Sequence, residues 1–98
     1  MTRKIKSLNE FRTHNVSKEE KHPAYIYAKV GDEYVYVGIT HASITNGMKN
    51  IPLEKNPNPQ DSRKAFFRPH SGKDHKSRFG KRKPWKLSNN DKLKVPRK

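Results

Sequence analysis

The sequence predicts an α+β domain centred on a small antiparallel sheet of three to four strands, and three observations carry that prediction. Residues 25–39, YIYAKVGDEYVYVGI, alternate aromatic and aliphatic side chains about a Gly-Asp pair, which is the pattern of a β-hairpin. A second apolar run, KAFFRP at 64–69, supplies a third strand. Ahead of the hairpin, Ile5, Leu8 and Phe11 recur at spacing three, which predicts a short helical segment. With 98 residues, only 30% of them hydrophobic, the chain has room for one modest core. The expected organisation is a basic, partly helical segment at 1–21, one domain at 22–95 and a tail at 96–98. Within the domain, 43–60 is a long loop and 71–84 a basic, flexible one.

Each element follows from local chemistry. In SKEE, 17–20, Ser17 stands as an N-cap with Glu20 at the capping-box position, and Pro23 stops any helix there. A two-residue Gly31-Asp32 turn pairs Val30 with Glu33, Ala28 with Val35, Tyr27 with Tyr36 and Ile26 with Val37. Extended outward, that register sets His22 opposite His41 at the open mouth of the hairpin. Tyr25, Tyr27, Tyr34 and Tyr36 then share one face, either as a packed layer or as a platform for stacking bases. Pro23 has no N–H, so the first strand lies at an edge there or leaves the ladder. In 43–60, Met48, Ile51 and Leu53 give the loop apolar points of attachment, and Asn58-Pro59 predicts a capped turn. Near the end, Ser88 and Asp91 have capping-box spacing ahead of KLKV, which leaves a short helix and a last strand both open.

Charge narrows the partners. There are 23 Lys and Arg against nine Asp and Glu, a formal charge of +14. Solubility alone is met by a net charge of roughly 2–8. An excess this large attracts polyanions, and each phosphate neutralised releases a counterion. Nucleic acid is the expected partner, RNA before DNA, with an acidic protein or inhibitor as the rival. The expected contacts are Arg63, Lys64, Lys73, Lys76, Arg78, Lys81, Arg82, Lys83 and Lys92. No run approaches the ~20 apolar residues of a spanning helix, so no membrane partner is expected. The basic start has no apolar stretch behind it, and cysteine is absent, which together fit a cytoplasmic protein.

The residues suited to chemistry are few. The acids are scattered, no HxH or HExxH spacing occurs, and neither a metal nor any other cofactor is expected. Metal-free RNA cleavage asks for less, because the substrate's own 2′-hydroxyl is the nucleophile. The protein then supplies a base, an acid for the leaving oxygen and cations for the phosphate. Imidazoles suit the first two roles and Arg the third. The candidates are His22, His41, Arg68 and His70. Each also has a plain structural role open to it: strand cap, chain entry, snorkelling cation or ordinary loop residue.

HPAYIY, GITHA, NPNPQDSRKAFFRP and WKLSNNDKLKV stand in an order that resembles the barnase–EndoU–colicin–RelE group of small ribonucleases, over residues 22–95. Members of that group occur as toxins and in phages and mobile elements, and they cleave RNA without metal. The resemblance implies His22 or His41 as the proton-transfer residue, with Arg68 and Lys92 near the phosphate. AYIY followed by YVG is also similar to the tyrosine motifs of GIY-YIG endonucleases. Those enzymes need an Arg on a following helix and a metal-binding Glu. Residues 42–62 contain no Arg, so an active enzyme of that kind is not expected. A non-catalytic nucleic-acid-binding accessory protein, or a module docking on an acidic protein, are the alternatives.

Overall fold

The inner half of the hairpin forms as its residues dictate. The computed structural model describes residues 5–95. Strands β1 (Ile5–Asn15), β2 (Lys21–Val30) and β3 (Glu33–Thr40) follow one another, and Gly31 turns the chain between the last two at φ 61°, a left-handed value glycine adopts without Cβ strain. Val30 pairs with Glu33, Lys29 with Tyr34 and Ala28 with Val35.

Beyond Ala28 the register departs from expectation. A bulge at Tyr27 sets Ile26 opposite Tyr36, Tyr25 opposite Val37 and Ala24 opposite Gly38. The ladder to β3 ends there, one residue after Pro23, and His22 pairs with His14 of β1 instead of facing His41. The cause is core packing. The extra residue turns Tyr25 and Tyr27 onto the face of Val37 and Ile39, where Phe11 and Phe67 join them. Tyr34 and Tyr36 stay on the opposite face, so the four tyrosines are not one surface.

The expected N-terminal helix is a strand. β1 pairs with β2 from Ile5↔Val30 to Asn15↔Lys21, with a bulge between Ser7 and Glu10. Phe11 lies on the face of Tyr25 and Leu8 on the face of Ile26, a split that a helical stripe would not produce. In the connection to β2, Ser17 Oγ does accept from the Glu20 amide, at 3.0 Å, but the chain turns back and Val16 N–H donates to Glu20 O. Residues 1–4 of the predicted helical segment and the 96–98 tail lie outside the described residues.

The loop after β3 packs through short strands β4 (Ile44–Thr45), β5 (Met48–Lys49) and β6 (Ile51–Pro52). Asn58 caps a single turn, its Oδ1 accepting from Gln60 N–H. The strand predicted at 64–69 is the fourth long one, β7 (Phe66–His75), and runs six residues past its predicted end. The main sheet has the order β1-β2-β3-β7-β6, antiparallel throughout, while β4 and β5 pair apart from it. The basic segment at 71–84 is therefore not the predicted flexible loop. It finishes β7, makes a 3₁₀ turn at Lys76–Arg78 and then pairs along β1, with Gly80 N–H on Thr13 O and Lys83 N–H on Phe11 O. That pairing covers the sheet edge β1 would otherwise expose. Of the two endings left open, the helix forms: α1 (Asn89–Lys92), with Ser88 Oγ accepting from Asp91 N–H. The fold is thus an antiparallel β domain with very little helix.

Two faces result. On one, Phe11, Tyr25, Tyr27, Val37, Ile39 and Phe67 pack beneath Trp85, Leu87 and Val95 of the C-terminal segment. On the other, Ala24 and Ile26 pack with Phe79, Leu8, Tyr34 and Tyr36. The sheet curls over this second face. β1 and β7 are three strand spacings apart, about 14 Å in a flat sheet, yet His14 Nε2 of β1 lies 2.8 Å from Asp74 Oδ2 of β7. Bulges in β1 and β2, and a further irregularity in β7 opposite Val37–Ile39, supply that curvature.

Candidate active site

The concave face encloses a groove of about 510 Å³. It is lined by His14, His22, Tyr36, Arg68 and His70, among others. Three of the four predicted catalytic residues therefore meet in one place. His41 does not line it.

His14 is the most constrained group in the groove. Although 6% exposed, it belongs to the polar stretch RTHNVSK. Its ring stacks on Phe79 at 4.7 Å between centroids and 17° between planes, and Tyr36 lies 4.4 Å away. A carboxylate only accepts, so Nε2 must donate to Asp74. In the neutral ring that leaves the lone pair on Nδ1. Among the described residues Nδ1 has no protein partner and no buried side-chain nitrogen is left unsatisfied, so Nδ1 is not sealed from solvent, and His14 lines the groove. The hydrogen bond from His14 is the leading cause that holds the Asp74 carboxyl below its ordinary range; partial burial opposes it. Asp74 is thereby kept ionised, as an orienting partner must be.

Two glycines make room for this arrangement. A Cβ on Gly72 would come within 3.1 Å of the Tyr36 ring and hydroxyl, so any other residue there would push the ring aside by a few tenths of an ångström. A Cβ on Gly38 would come within 3.2 Å of Arg68 Cγ. Burial, and after it the charge of Asp74, raises the pKa of the Tyr36 phenol. The phenol stays protonated through neutrality, so Tyr36, which lines the groove, brings a hydroxyl able to donate a hydrogen bond.

Arg68 and His70 enter from the irregular part of β7, where the five residues Phe67 to Ser71 span what the three residues Ile39 to Val37 span on β3. Pro69 at its centre has no N–H to give to the ladder. Arg68 is aimed rather than free: its Nη1 donates to Asn50 Oδ1 at 2.7 Å. Asn50 is itself buried, its Nδ2 donating to Ala42 O and Thr45 Oγ1, both at 2.9 Å. His70 is exposed on the rim. His22, also exposed, has Nε2 3.0 Å from Glu20 Oε1.

His41 instead ties down the loop before β7. Its Nδ1 donates to Lys64 O at 3.0 Å and its Nε2 lies 3.3 Å from Asp61. The same Asp61 is gripped by both arms of Arg63, and that hydrogen bonding sets its pKa far below the ordinary value. Arg63 is in this way engaged within its own loop.

None of the remaining predicted nucleic-acid contacts lines this groove. Lys64, Lys73 and Lys81 are exposed. Lys76 sits 3.4 Å from Asp32, and Arg78 donates to Val16 O at 3.2 Å where β1 closes over the groove. Arg82, Lys83 and Lys92 line a second groove.

The chain matches no protein-family model, no curated protein and no solved structure. Its residues alone carry the reading. Among the described residues, no group of three His, Asp or Glu side chains is placed to hold a metal ion, and no helix is long and apolar enough to cross a membrane. What the groove does assemble is an imidazole oriented by a carboxylate, a protonated phenol, an aimed guanidinium and two further imidazoles on the rim.

Proposed function

We propose that the protein binds RNA and cleaves it as a metal-independent endoribonuclease, in the manner of the barnase–EndoU–colicin–RelE group. The observation that carries this reading is His14, hydrogen-bonded to Asp74, lining the same groove as Arg68 and His70. His14 Nδ1 takes the proton from the 2′-hydroxyl as that oxygen attacks phosphorus. The bond to the 5′-oxygen breaks, and His70 on the rim protonates the leaving oxygen. Arg68 neutralises the charge that grows on the phosphorane, with the Tyr36 phenol donating a hydrogen bond. This moves the proton-transfer role from His22 and His41 to His14. His22 becomes a rim residue that contacts the strand. The excess of cations, a net +14, brings the polyanion to the surface.

The test is incubation of the pure protein with a single-stranded RNA in excess EDTA. The expected products end in 2′,3′-cyclic phosphate, and the same sequence with a 2′-deoxy sugar at the scissile position stays intact. RNA left whole across pH 5–8, but bound tightly and in a salt-sensitive way, overturns cleavage and leaves the accessory, binding role.

A further inference from the structure

The second groove lies away from the concave face, between β1 and the C-terminal segment. It measures about 680 Å³, and Arg82, Lys83, Lys86 and Lys92 converge on it around Trp85. None of the residues lining it is acidic. Four cations held round one opening repel one another unless an anion enters. Among the described residues only Arg82 has a carboxylate at hand, Glu10 Oε2 at 3.7 Å, and Glu10 is shared with Arg12 at 2.9 Å. Lys86 and Lys92 are exposed and have no carboxylate within 4.0 Å among the described residues.

Trp85 supplies the second half of a nucleotide's requirements. One side of its ring is held by Phe11 at 5.9 Å, and over the ring sits the Lys83 ammonium at 5.7 Å. A phosphate that draws Lys83 aside uncovers an aromatic surface. At the groove's edge, Asn9 Oδ1 is used by the Tyr25 hydroxyl, which leaves the Asn9 amide N–H groups to donate outward.

We infer that this groove is a single-strand binding subsite, where a base stacks on Trp85 and the flanking phosphates sit on Lys83, Lys86 and Lys92. Stacking on an aromatic inside a basic groove is how strands are held without sequence preference. An acidic protein segment would satisfy the cations but would leave the tryptophan and the amide without a purpose. The inference deepens the RNA-binding reading and rests on its polyanion affinity, not on cleavage.

Trp85 is the only tryptophan, so its emission reports this groove. The experiment titrates the full chain with a 2′-deoxy oligonucleotide of about 12 nucleotides, which binds but offers no 2′-hydroxyl to cleave. Saturable quenching is expected. The exposed pair Lys86→Gln and Lys92→Gln should weaken binding at least tenfold, and should lower the slope of log K against log salt by about 1.4, since each strand phosphate accounts for about 0.7. Binding by anisotropy with Trp85 silent, or with the double variant unchanged, overturns this subsite and leaves the RNA reading standing. Equal quenching by polyglutamate overturns it in favour of a general acidic docking surface. No binding of any polyanion at low salt overturns the proposed function as well.

Discussion

Replacing His14 by glutamine is expected to lower the rate of RNA cleavage by about 100- to 10,000-fold, the range a single general acid–base catalyst contributes. RNA affinity should stay within a factor of about three, because affinity comes from cations elsewhere on the surface. His14 is also packed between Phe79 and Tyr36, so a rate loss alone would not separate chemistry from folding. Asp74→Asn separates them. Its amide would donate to His14 Nε2 and force the proton onto Nδ1, turning the lone pair away from the groove. The ring stays seated, yet kcat should fall about 100-fold or more with KM little changed. A kcat equal to wild type in Asp74→Asn would remove His14 from the mechanism. His41→Ala, which alters a loop staple outside the groove, should leave kcat unchanged.

The pH dependence has a definite sign. The His14 hydrogen bond holds Asp74 below its ordinary carboxyl value, so Asp74 remains ionised down to below about pH 4. Asp74 therefore adds no limb to the rate profile between pH 5 and 8. Replacing His70 by glutamine should slow cleavage about 100-fold, because the acid for the leaving oxygen is lost. A rate unaltered in His70→Gln would assign the leaving-group proton to another donor.

The turn and the first pairs of the hairpin were legible because Gly31 and the alternation around it admit few alternatives. The bulge at Tyr27 was not. Both registers set apolar against apolar on each strand, and the choice between them is made by Phe11 and Phe67, which arrive from strands far away in sequence. β1 escaped notice because its own bulge, between Ser7 and Glu10, breaks the alternation that would have marked a strand. The predicted groove residues Arg68 and His70 were found through their place at the end of an apolar run. His14 and Tyr36 were missed. One signal did point to the pair: Asp74 is a lone acid in GKDHKSR, and a carboxylate kept among cations in a chain this basic calls for a specific partner. Asp61 and Asp91 obey the same rule, and each proves to be engaged.

Asp91 is the acid with the largest expected effect on stability. Its side chain is fully buried, with Oδ1 accepting from Glu54 N–H at 2.7 Å and Oδ2 from Lys55 N–H at 3.3 Å. Lys94 Nζ adds an ion pair at 3.3 Å. The carboxylate thus joins α1 to the loop after β6, and it closes the C-terminal cover over the core face. Burial pushes its pKa up, but the hydrogen bonds from Glu54, Ser88, Lys55 and Lys94 together outweigh that and leave it lowered. A group whose folded pKa is depressed gives stability that is complete above its unfolded value and lost as pH falls through the folded one. With an unfolded value near 3.8, the loss belongs to the acid side, below about pH 4. Asp91→Ala leaves two backbone donors without their acceptor and should cost about 3 kcal/mol. Asp91→Asn keeps one acceptor and should cost about half that, with a flatter acid limb. Urea unfolding read by Trp85, which belongs to the same cover, measures both. A midpoint unmoved in Asp91→Ala would mean that the C-terminal segment is held by Leu87 and Val95 alone, and that the carboxylate contributes nothing to closing the core.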